Sequence, residues 1–271
     1  MASMQQPLLN QAEATVPDVV VIFLCFLSFQ LFDAIHHHCI SPKLPIYAQL
    51  SFRDRYDWDR RVTNLTFQLL QLPFNLYILF VDQNSTSDVI YGYSRIAHVG
   101  FVIILSFYIH DTTGLVLHPR APTGTCGWII HHIIASALLV YDVCYKQSSA
   151  FPAAAFLISA AGHIPNDLRW FFTATALFRR LPVSFRDGFN IFSISLISAV
   201  FLIPPIWLLK RCAQQLELSM YDLLIQRMTT YCHFFFALIY LTHVGVVIGQ
   251  LRRLGREWRT EAPQFRHTKV Q

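Results

Sequence analysis

Seven stretches of the chain are apolar on nearly every face and contain few charged residues. A helix needs about 20 such residues, at about 1.5 Å each, to cross a bilayer core of about 30 Å. Because the apolar residues surround the helix instead of forming one stripe, the pattern predicts lipid-embedded helices. The predicted spans are 19–35, 62–81, 96–110, 128–146, 150–178, 188–209 and 228–250.

Three of these spans have unusual features. The third is short and is expected to begin earlier, near Ile90. The fifth is interrupted by the polar run Gly162–Arg169, and losing it as a span would invert the orientation of everything after it. In the sixth, Pro204-Pro205 predicts a kink or a helix end. The sequence therefore predicts an all-α, polytopic transmembrane bundle of about 6–7 spans.

Composition supports a membrane protein. Of 271 residues, 54% are hydrophobic and only 14% are charged, whereas a soluble domain has about 25% charged residues. These values exclude a soluble globular enzyme, a disordered chain and a disulfide-rich secreted module. The net charge of +5 is small and scattered, so we predict no nucleic-acid partner.

The distribution of Lys and Arg predicts the orientation. Sixteen of the 21 lie on one side of a seven-span chain, and the positive-inside rule places that side in the cytosol. The segments concerned are 36–61, 111–127, 169–187 and 251–271.

The resulting division of the chain has four parts. It predicts a lumenal N-terminal tail (1–17), a first transmembrane helix and loop (18–49), a main transmembrane domain (50–250) and a basic cytosolic tail (251–271).

Two glycosylation sequons bear on this orientation. Asn84-Ser85-Thr86 falls in a predicted lumenal loop, so Asn84 is expected to carry a glycan. The second sequon begins at Asn64, at the cytosolic start of a helix, and is expected to stay unmodified.

Ionisable and polar side chains collect near the cytosolic ends of several spans. Each costs of order 2.5–3.5 kcal/mol inside a bilayer, which makes it a functional candidate. We predict substrate-binding roles for those flanking the central pair described next. They are His110, His163, Asn166, Asp167 and Arg169.

The pair His131-His132 is the sharpest feature. Neighbours on a helix point about 100° apart, so both rings can border one pocket. Histidine suits proton transfer near neutral pH, and a carboxylate such as Asp111 would orient one ring. The pair and Asp111 are the catalytic candidates; the alternative is that these histidines only cross-link helices by hydrogen bonds. None of the 12 histidines forms the HxxxH or HxxHH clusters of di-iron oxygenases, so we predict no metal and no cofactor.

Two further clusters receive less specific interpretations. His36-His37-His38 follows the first span, where a solvated interface is expected and metal binding is the alternative. The arginines before the second span are interpreted as a belt at the level of the lipid head groups. They are Arg53, Arg55, Arg60 and Arg61.

The order of these motifs resembles the TLC domain. The resemblance is carried by the charged and aromatic run 56–61, the runs 107–111 and 128–132, and the run His163–Trp170, and it covers roughly residues 50–250. This domain is shared by the translocating-chain-associated membrane protein, the ceramide synthases and the TLC-domain-containing proteins. Ile164 replaces the first Asp of the synthase pattern HDxxDxxLExxK, and Trp170-Phe171 replaces its Leu-Glu. The chain therefore resembles the small TLC-domain-containing proteins more than the synthases.

The resemblance implies a multi-pass protein of the endoplasmic reticulum that acts in membrane lipid homeostasis, on sphingolipid or phospholipid acyl composition. Its partners would be membrane lipids. The first alternative is an N-acyltransferase of ceramide synthase type, with acyl-CoA as co-substrate, a sphingoid or other lipid amine as acceptor, and His131, His132 and Asp111 as catalytic residues. The second is a trafficking or cargo receptor. A homodimer is compatible with each.

Overall fold

The computed structural model describes residues 16–117, 125–146, 148–175 and 181–222, together with Ile248 and Arg252. These residues form helices and turns with no strand among them, which confirms the all-α fold. The helices are α1 (Val16–Ile35), α2 (Pro45–Ala48), α3 (Phe52–Phe80), α4 (Gln83–Ser87), α5 (Arg95–Leu117), α6 (Thr125–Tyr145), α7 (Ala150–Ala174) and α8 (Val183–Gln215). A π-helical turn (His36–Ile40) and a 3₁₀ turn (Ser41–Lys43) extend α1, and a last short turn spans Met220–Asp222.

Four helical segments among the described residues are long and apolar enough to cross a membrane. They are Pro17–Lys43, Arg95–Leu117, Trp128–Tyr145 and Val183–Gln215. The helices α3 and α7, with 29 and 25 residues, are long enough too but are not among these four segments. The seventh predicted span, 228–250, lies outside the described residues except for Ile248. The structure is thus compatible with about 6–7 spans but does not confirm the number.

The helix α5 begins at Arg95 and not near Ile90 as the sequence predicted. The Asp88 carboxylate accepts a hydrogen bond from the Ile90 backbone N–H at 3.1 Å, which holds this segment in a turn. Ser94 then accepts backbone hydrogen bonds from the first turn of α5 and caps it. At the other end α5 continues to Leu117, so Asp111 lies inside the helix.

The predicted interruption of the fifth span is wrong, because α7 runs unbroken through Gly162–Arg169 with Pro165 inside it. A proline removes one backbone hydrogen bond, and such a loss is tolerated where neighbouring helices surround the position. The polar residues of this run have partners on another helix, since Asp167 accepts hydrogen bonds from Arg61 and Asn64 of α3.

The helix α8 likewise continues beyond Pro204 and Pro205 to Gln215. Of the two predicted effects of these prolines, an end of the helix is therefore excluded. The first residues of the expected lumenal loop 210–227 are helical instead.

The bundle is built around α7, whose buried residues include five alanines. The helix α3 packs against α7, which in turn packs against α8, while α5 packs against α6 and α1. Between α3 and α5 the rings of Phe67 and Phe107 stack with centroids 3.9 Å apart. Phe29 of α1 meets both rings edge-on at 5.6 and 5.5 Å, which closes the aromatic core.

The helix α1 is the most exposed of the long helices, and apolar residues such as Phe23 and Leu31 point outward. Carboxylate–histidine contacts attach it at both ends. Asp18 Oδ1 lies 2.8 Å from His98 Nε2, and Asp33 Oδ2 lies 3.1 Å from His110 Nε2. An outer helix held at its ends leaves its middle available to border a groove.

Candidate functional site

The centre of the site is an ion pair between α3 and α5. Arg60 donates from Nε to Asp111 Oδ1 at 2.7 Å and from Nη2 to Asp111 Oδ2 at 2.8 Å. The Asp111 side chain is 9% exposed and that of Arg60 is 18% exposed. The planar guanidinium matches the carboxylate with two parallel hydrogen bonds, so this pair fixes the position and orientation of Asp111.

One histidine of the predicted catalytic pair faces this carboxylate. His132 Nδ1 lies 3.5 Å from Asp111 Oδ2, and His132 is 3% exposed. The ring of Tyr108 lies 5.0 Å from the His132 ring and fixes it on one side. His131 is half-buried, with its ring 5.9 Å from that of Trp128. The two histidines therefore have different environments, and His132 is the one next to the ion pair.

A second buried carboxylate joins α7 to α3. Asp167, whose side chain is 3% exposed, accepts hydrogen bonds from Arg61 and from Asn64. The Arg61 guanidinium also lies 5.0 Å from the centre of the Trp170 ring. Through these hydrogen bonds Asp167 holds α7 against α3.

His110 faces away from the histidine pair and toward α1. Its Nε2 contacts Asp33, which also accepts a hydrogen bond from Thr63 of α3. The ring of Phe29 lies 5.7 Å from that of His110. His110 and His132 therefore lie on opposite sides of Asp111. This carboxylate lies between the His110–Asp33 contact and the region of His132.

The remaining predicted site residues have separate surroundings. The His163 ring lies 5.1 Å from that of Trp128, close to His131 and His132. Asn166 and Arg169 are half-buried on α7. Asn84 is exposed on α4, beyond the end of α3 that lies about 24 Å along the helix from Asn64. The structure thus brings His132, Asp111 and His163 to one region and separates Asn84 from it.

Sequence reasoning missed four residues that position this site, namely Asp33, Arg60, Arg61 and Asn64. The two arginines were interpreted as a belt at the lipid head groups, and Asn64 only as an unused sequon. The sequence does contain a pattern that marks Arg61 and Asn64, because polar residues recur on α3 at intervals of four and three residues. These residues are Asp57, Arg61, Asn64, Gln68, Gln71 and Asn75. Such spacing places them along one face of an otherwise apolar helix.

A polar cleft of about 310 Å³ opens between α1, α3 and α5. Its lining includes charged and imidazole side chains from all three helices and from the turn after α1. We call this the polar cleft and define it by Asp33, His37, Asp59, Arg60, His110 and Asp111. His110 is one of the described residues that line the polar cleft, whereas His131 and His132 do not line it.

An apolar groove of about 500 Å³ lies against the same three helices. We define it by Phe29, Phe32, Phe67, Leu70, Phe74 and Ile103. Thr63 lines both the groove and the polar cleft. Phe74 can approach α5 only because residue 100 is glycine, since a Cβ there would lie 1.9 Å from Phe74 Cζ. A charged cavity therefore adjoins an apolar one along the outer helix.

Two amide side chains of α3 are buried without hydrogen-bond partners among the described residues. Gln71 is 4% exposed and Asn75 is 0% exposed, and neither amide nitrogen nor amide oxygen is satisfied in either residue. An unsatisfied buried polar group costs about 1–3 kcal/mol. Of the two, Gln71 lines the apolar groove.

Asp59 lies near the start of α3, before the predicted second span. Burial would raise its pKa, but hydrogen bonds with His36, His37, Ser41 and Tyr47 outweigh burial and lower the pKa to about 2. The Tyr47 hydroxyl donates at 2.7 Å and the Ser41 hydroxyl at 2.6 Å. Asp59 is therefore ionised and anchors the turn after α1. His36 is buried in this cluster, in contrast to the solvated position expected for it.

Within the part of the chain that the structure describes, no three or more His, Cys, Asp or Glu side chains are arranged to hold a metal ion.

Comparisons with known proteins agree with the motifs. A stretch of 158 residues, 58% of this chain, is 27% identical to human TLC domain-containing protein 4 and covers 59% of that protein's length, less than two thirds. A stretch of 196 residues, 70% of this chain, is 26% identical to zebrafish TLC domain-containing protein 4-B and covers 72% of it. No family model and no solved structure matches the chain. The two relatives confirm the resemblance that the motifs indicated, and the chain is a multi-pass membrane protein that is similar to TLC-domain-containing proteins.

Proposed function

We propose that this protein acts in membrane lipid homeostasis and does so by holding one lipid with its head group in the polar cleft and its chain in the apolar groove. The observation that carries the proposal is the contact of the two cavities at Thr63. A membrane lipid has the same arrangement, a polar group joined to an apolar chain. A site of this kind is mostly apolar with a few converging polar groups.

The charge of the polar cleft favours one class of head group. Three carboxylates (Asp33, Asp59 and Asp111) and one guanidinium (Arg60) line it, which gives a net charge of −2 with the imidazoles neutral. An ammonium group is attracted by this charge, whereas a free phosphate is repelled. A lipid amine is therefore the head group that the polar cleft fits best. Asp33 is its main counter-ion, because Asp111 is already paired with Arg60.

The position of α1 supports entry from the bilayer. The middle of α1 borders the apolar groove through Phe29 and Phe32, and its outer face is exposed and apolar. A lipid moving sideways would then reach the groove beside α1 without passing its chain through water.

The test is binding of a long-chain primary amine to the purified protein in nanodiscs, followed by native mass spectrometry. Ser28→Trp and Ile103→Trp would fill the groove from α1 and from α5, and each is expected to weaken binding at least tenfold. The matched control is Ile130→Trp, at a position on α6 that is 56% exposed. Binding that is equal in all four proteins would refute the proposal.

A second candidate function is acyl transfer from acyl-CoA to the amine of the bound lipid, with His132 as the base. The observation that favours it is the proximity of His132 to Asp111, which lines the polar cleft. Because Asp111 lies between the polar cleft and His132, the Asp111 carboxylate relays the amine proton to His132 Nδ1. The amine nitrogen attacks the thioester carbonyl, the C–N bond forms and the C–S bond breaks. The amine proton passes through Asp111 and His132 to the departing CoA thiolate.

This second function is tested with acyl-CoA and lipid-amine panels. The double variant His131→Ala/His132→Ala is compared with wild type, and thermal unfolding shows whether both are folded. Amide product from wild type and none from an equally stable variant would support catalysis. Absence of product from wild type would refute it and leave the lipid-binding proposal standing.

A further inference from the structure

The apolar groove is lined in part by Gln71, a buried amide side chain that has no hydrogen-bond partner among the residues that the structure describes. Gln71 is 96% removed from solvent, lines the groove, and has neither its Nε2 nor its Oε1 atom bonded to any described residue. Most of the remaining lining is aromatic or aliphatic, including Phe67, Leu70 and Phe74. A buried amide in such surroundings calls for a polar partner, and the ligand of the groove is the molecule that can bring one.

We infer that Gln71 recognises a hydroxyl group carried on the chain of the lipid that occupies the groove. Within the described part of the chain, neither the donor nor the acceptor of the amide has a partner. A hydroxyl donates one hydrogen bond and accepts others, so one hydroxyl satisfies both atoms. A carbonyl oxygen would satisfy only the donor. This inference rests on the proposed placement of a lipid in the polar cleft and the apolar groove.

The position of Gln71 separates this hydroxyl from the head group. Gln71 follows Thr63, where the two cavities meet, by eight residues on α3, or about 12 Å along the helix. Ester and amide links of lipids adjoin the head group and do not reach this depth. The group recognised by Gln71 therefore lies within the hydrocarbon chain, and the substrate class is a lipid with a hydroxylated chain.

Gln68 provides a matched control on the same helix. It is also a buried glutamine, 2% exposed, but it donates to Asn64 at 3.3 Å and does not line the groove among the residues described there. Replacing Gln68 by leucine removes a buried amide without changing the groove. An effect limited to Gln71→Leu therefore reports the subsite and not a general change in the bundle.

The experiment measures binding of long-chain primary amines with and without a chain hydroxyl, its position varied along the chain, to the full-length protein in nanodiscs. Wild type is expected to bind the best-placed hydroxylated probe about threefold to tenfold more tightly than the plain one. Gln71→Leu, and Gln71→Met as a second variant of similar length, are expected to lose this preference, and Gln68→Leu to retain it.

Equal binding of the two probes by wild type would overturn the inference, as would a preference that survives in both Gln71 variants. In those outcomes a partner other than the lipid satisfies the amide. Failure of every probe to bind would refute the proposed lipid site itself, so the two failures are distinguishable. Thermal unfolding of each variant confirms that the compared proteins are folded.

Discussion

Arg60 holds Asp111 through two hydrogen bonds, at 2.7 and 2.8 Å, between the first half of α3 and the C-terminal half of α5. This pair sits between His132 on one side and the polar cleft on the other. The planar guanidinium of Arg60 fixes the Asp111 carboxylate, and it therefore also fixes the position of this carboxylate next to His132. The pair therefore links the histidine region to the proposed lipid site.

Removing one partner of this pair is expected to be more damaging than removing both. Asp111→Leu leaves the Arg60 guanidinium unpaired and Arg60→Met leaves the Asp111 carboxylate unpaired, each with an expected loss of about 3–5 kcal/mol in the free energy of unfolding. The double variant Arg60→Met/Asp111→Leu is expected to lose less than the sum of its single substitutions. Thermal unfolding in nanodiscs measures all three, and strictly additive losses would contradict the pairing.

The contact of Phe74 with Gly100 predicts a local steric effect. In Gly100→Ala the new methyl group would overlap the Phe74 ring, so we expect a loss of about 1–3 kcal/mol. Phe74→Leu in the same chain should recover most of it. Gly162→Ala is the control, because a Cβ there meets nothing within 4 Å and alanine favours a helix by up to about 1 kcal/mol. Equal destabilisation at both glycines would count against this packing.

The Asp59 cluster predicts acid sensitivity. The pKa of Asp59 is about 2 in the folded protein against an ordinary value of 3.8, so the unfolded chain binds a proton more readily than the folded one. The stabilisation is therefore complete above about pH 4 and is lost as the pH falls toward 2. In Asp59→Asn this part of the pH dependence should disappear, as measured by unfolding temperature against pH. If the unfolding temperature of Asp59→Asn falls between pH 4 and pH 2 as steeply as that of wild type, Asp59 is not the source of this acid sensitivity.

The exposed position of Asn84 on α4 predicts a glycan if the loop is lumenal. Asn84→Gln should increase the gel mobility of the protein expressed in cells, to the same extent as endoglycosidase treatment of wild type. Thr66→Ala, in the sequon of the half-buried Asn64, should leave the mobility unchanged. A glycan that depends on Thr66 would reverse the predicted orientation.

The helical class, and the bounds of α1 and α6 to within a few residues, follow from the run of apolar positions. The orientation of Arg60 and Arg61 does not, because a basic residue at a helix entry can face lipid head groups or another helix equally well by sequence. The same ambiguity applies to Asp167, whose partners Arg61 and Asn64 lie about 100 residues earlier.

For the histidine pair, too, the sequence predicts the local geometry but not the contacts with other helices. Adjacent residues on a helix predict that His131 and His132 point in different directions, and the structure agrees. Which of them faces Asp111 depends on how α6 packs against α5, and that is not encoded in the spacing of the motif. The contact of His110 with Asp33 of α1 was missed for the same reason.

The most direct test of the lipid site is photocrosslinking with a long-chain primary amine that carries a diazirine in its chain. After illumination of the protein in nanodiscs, peptide mass spectrometry identifies the labelled residues. The account predicts labels concentrated on groove residues of α1, α3 and α5, including Phe32, Phe74 and Ile103, with competition by the unlabelled amine. Labels spread evenly over outward residues such as Phe23 and Ile130, without competition, would contradict it.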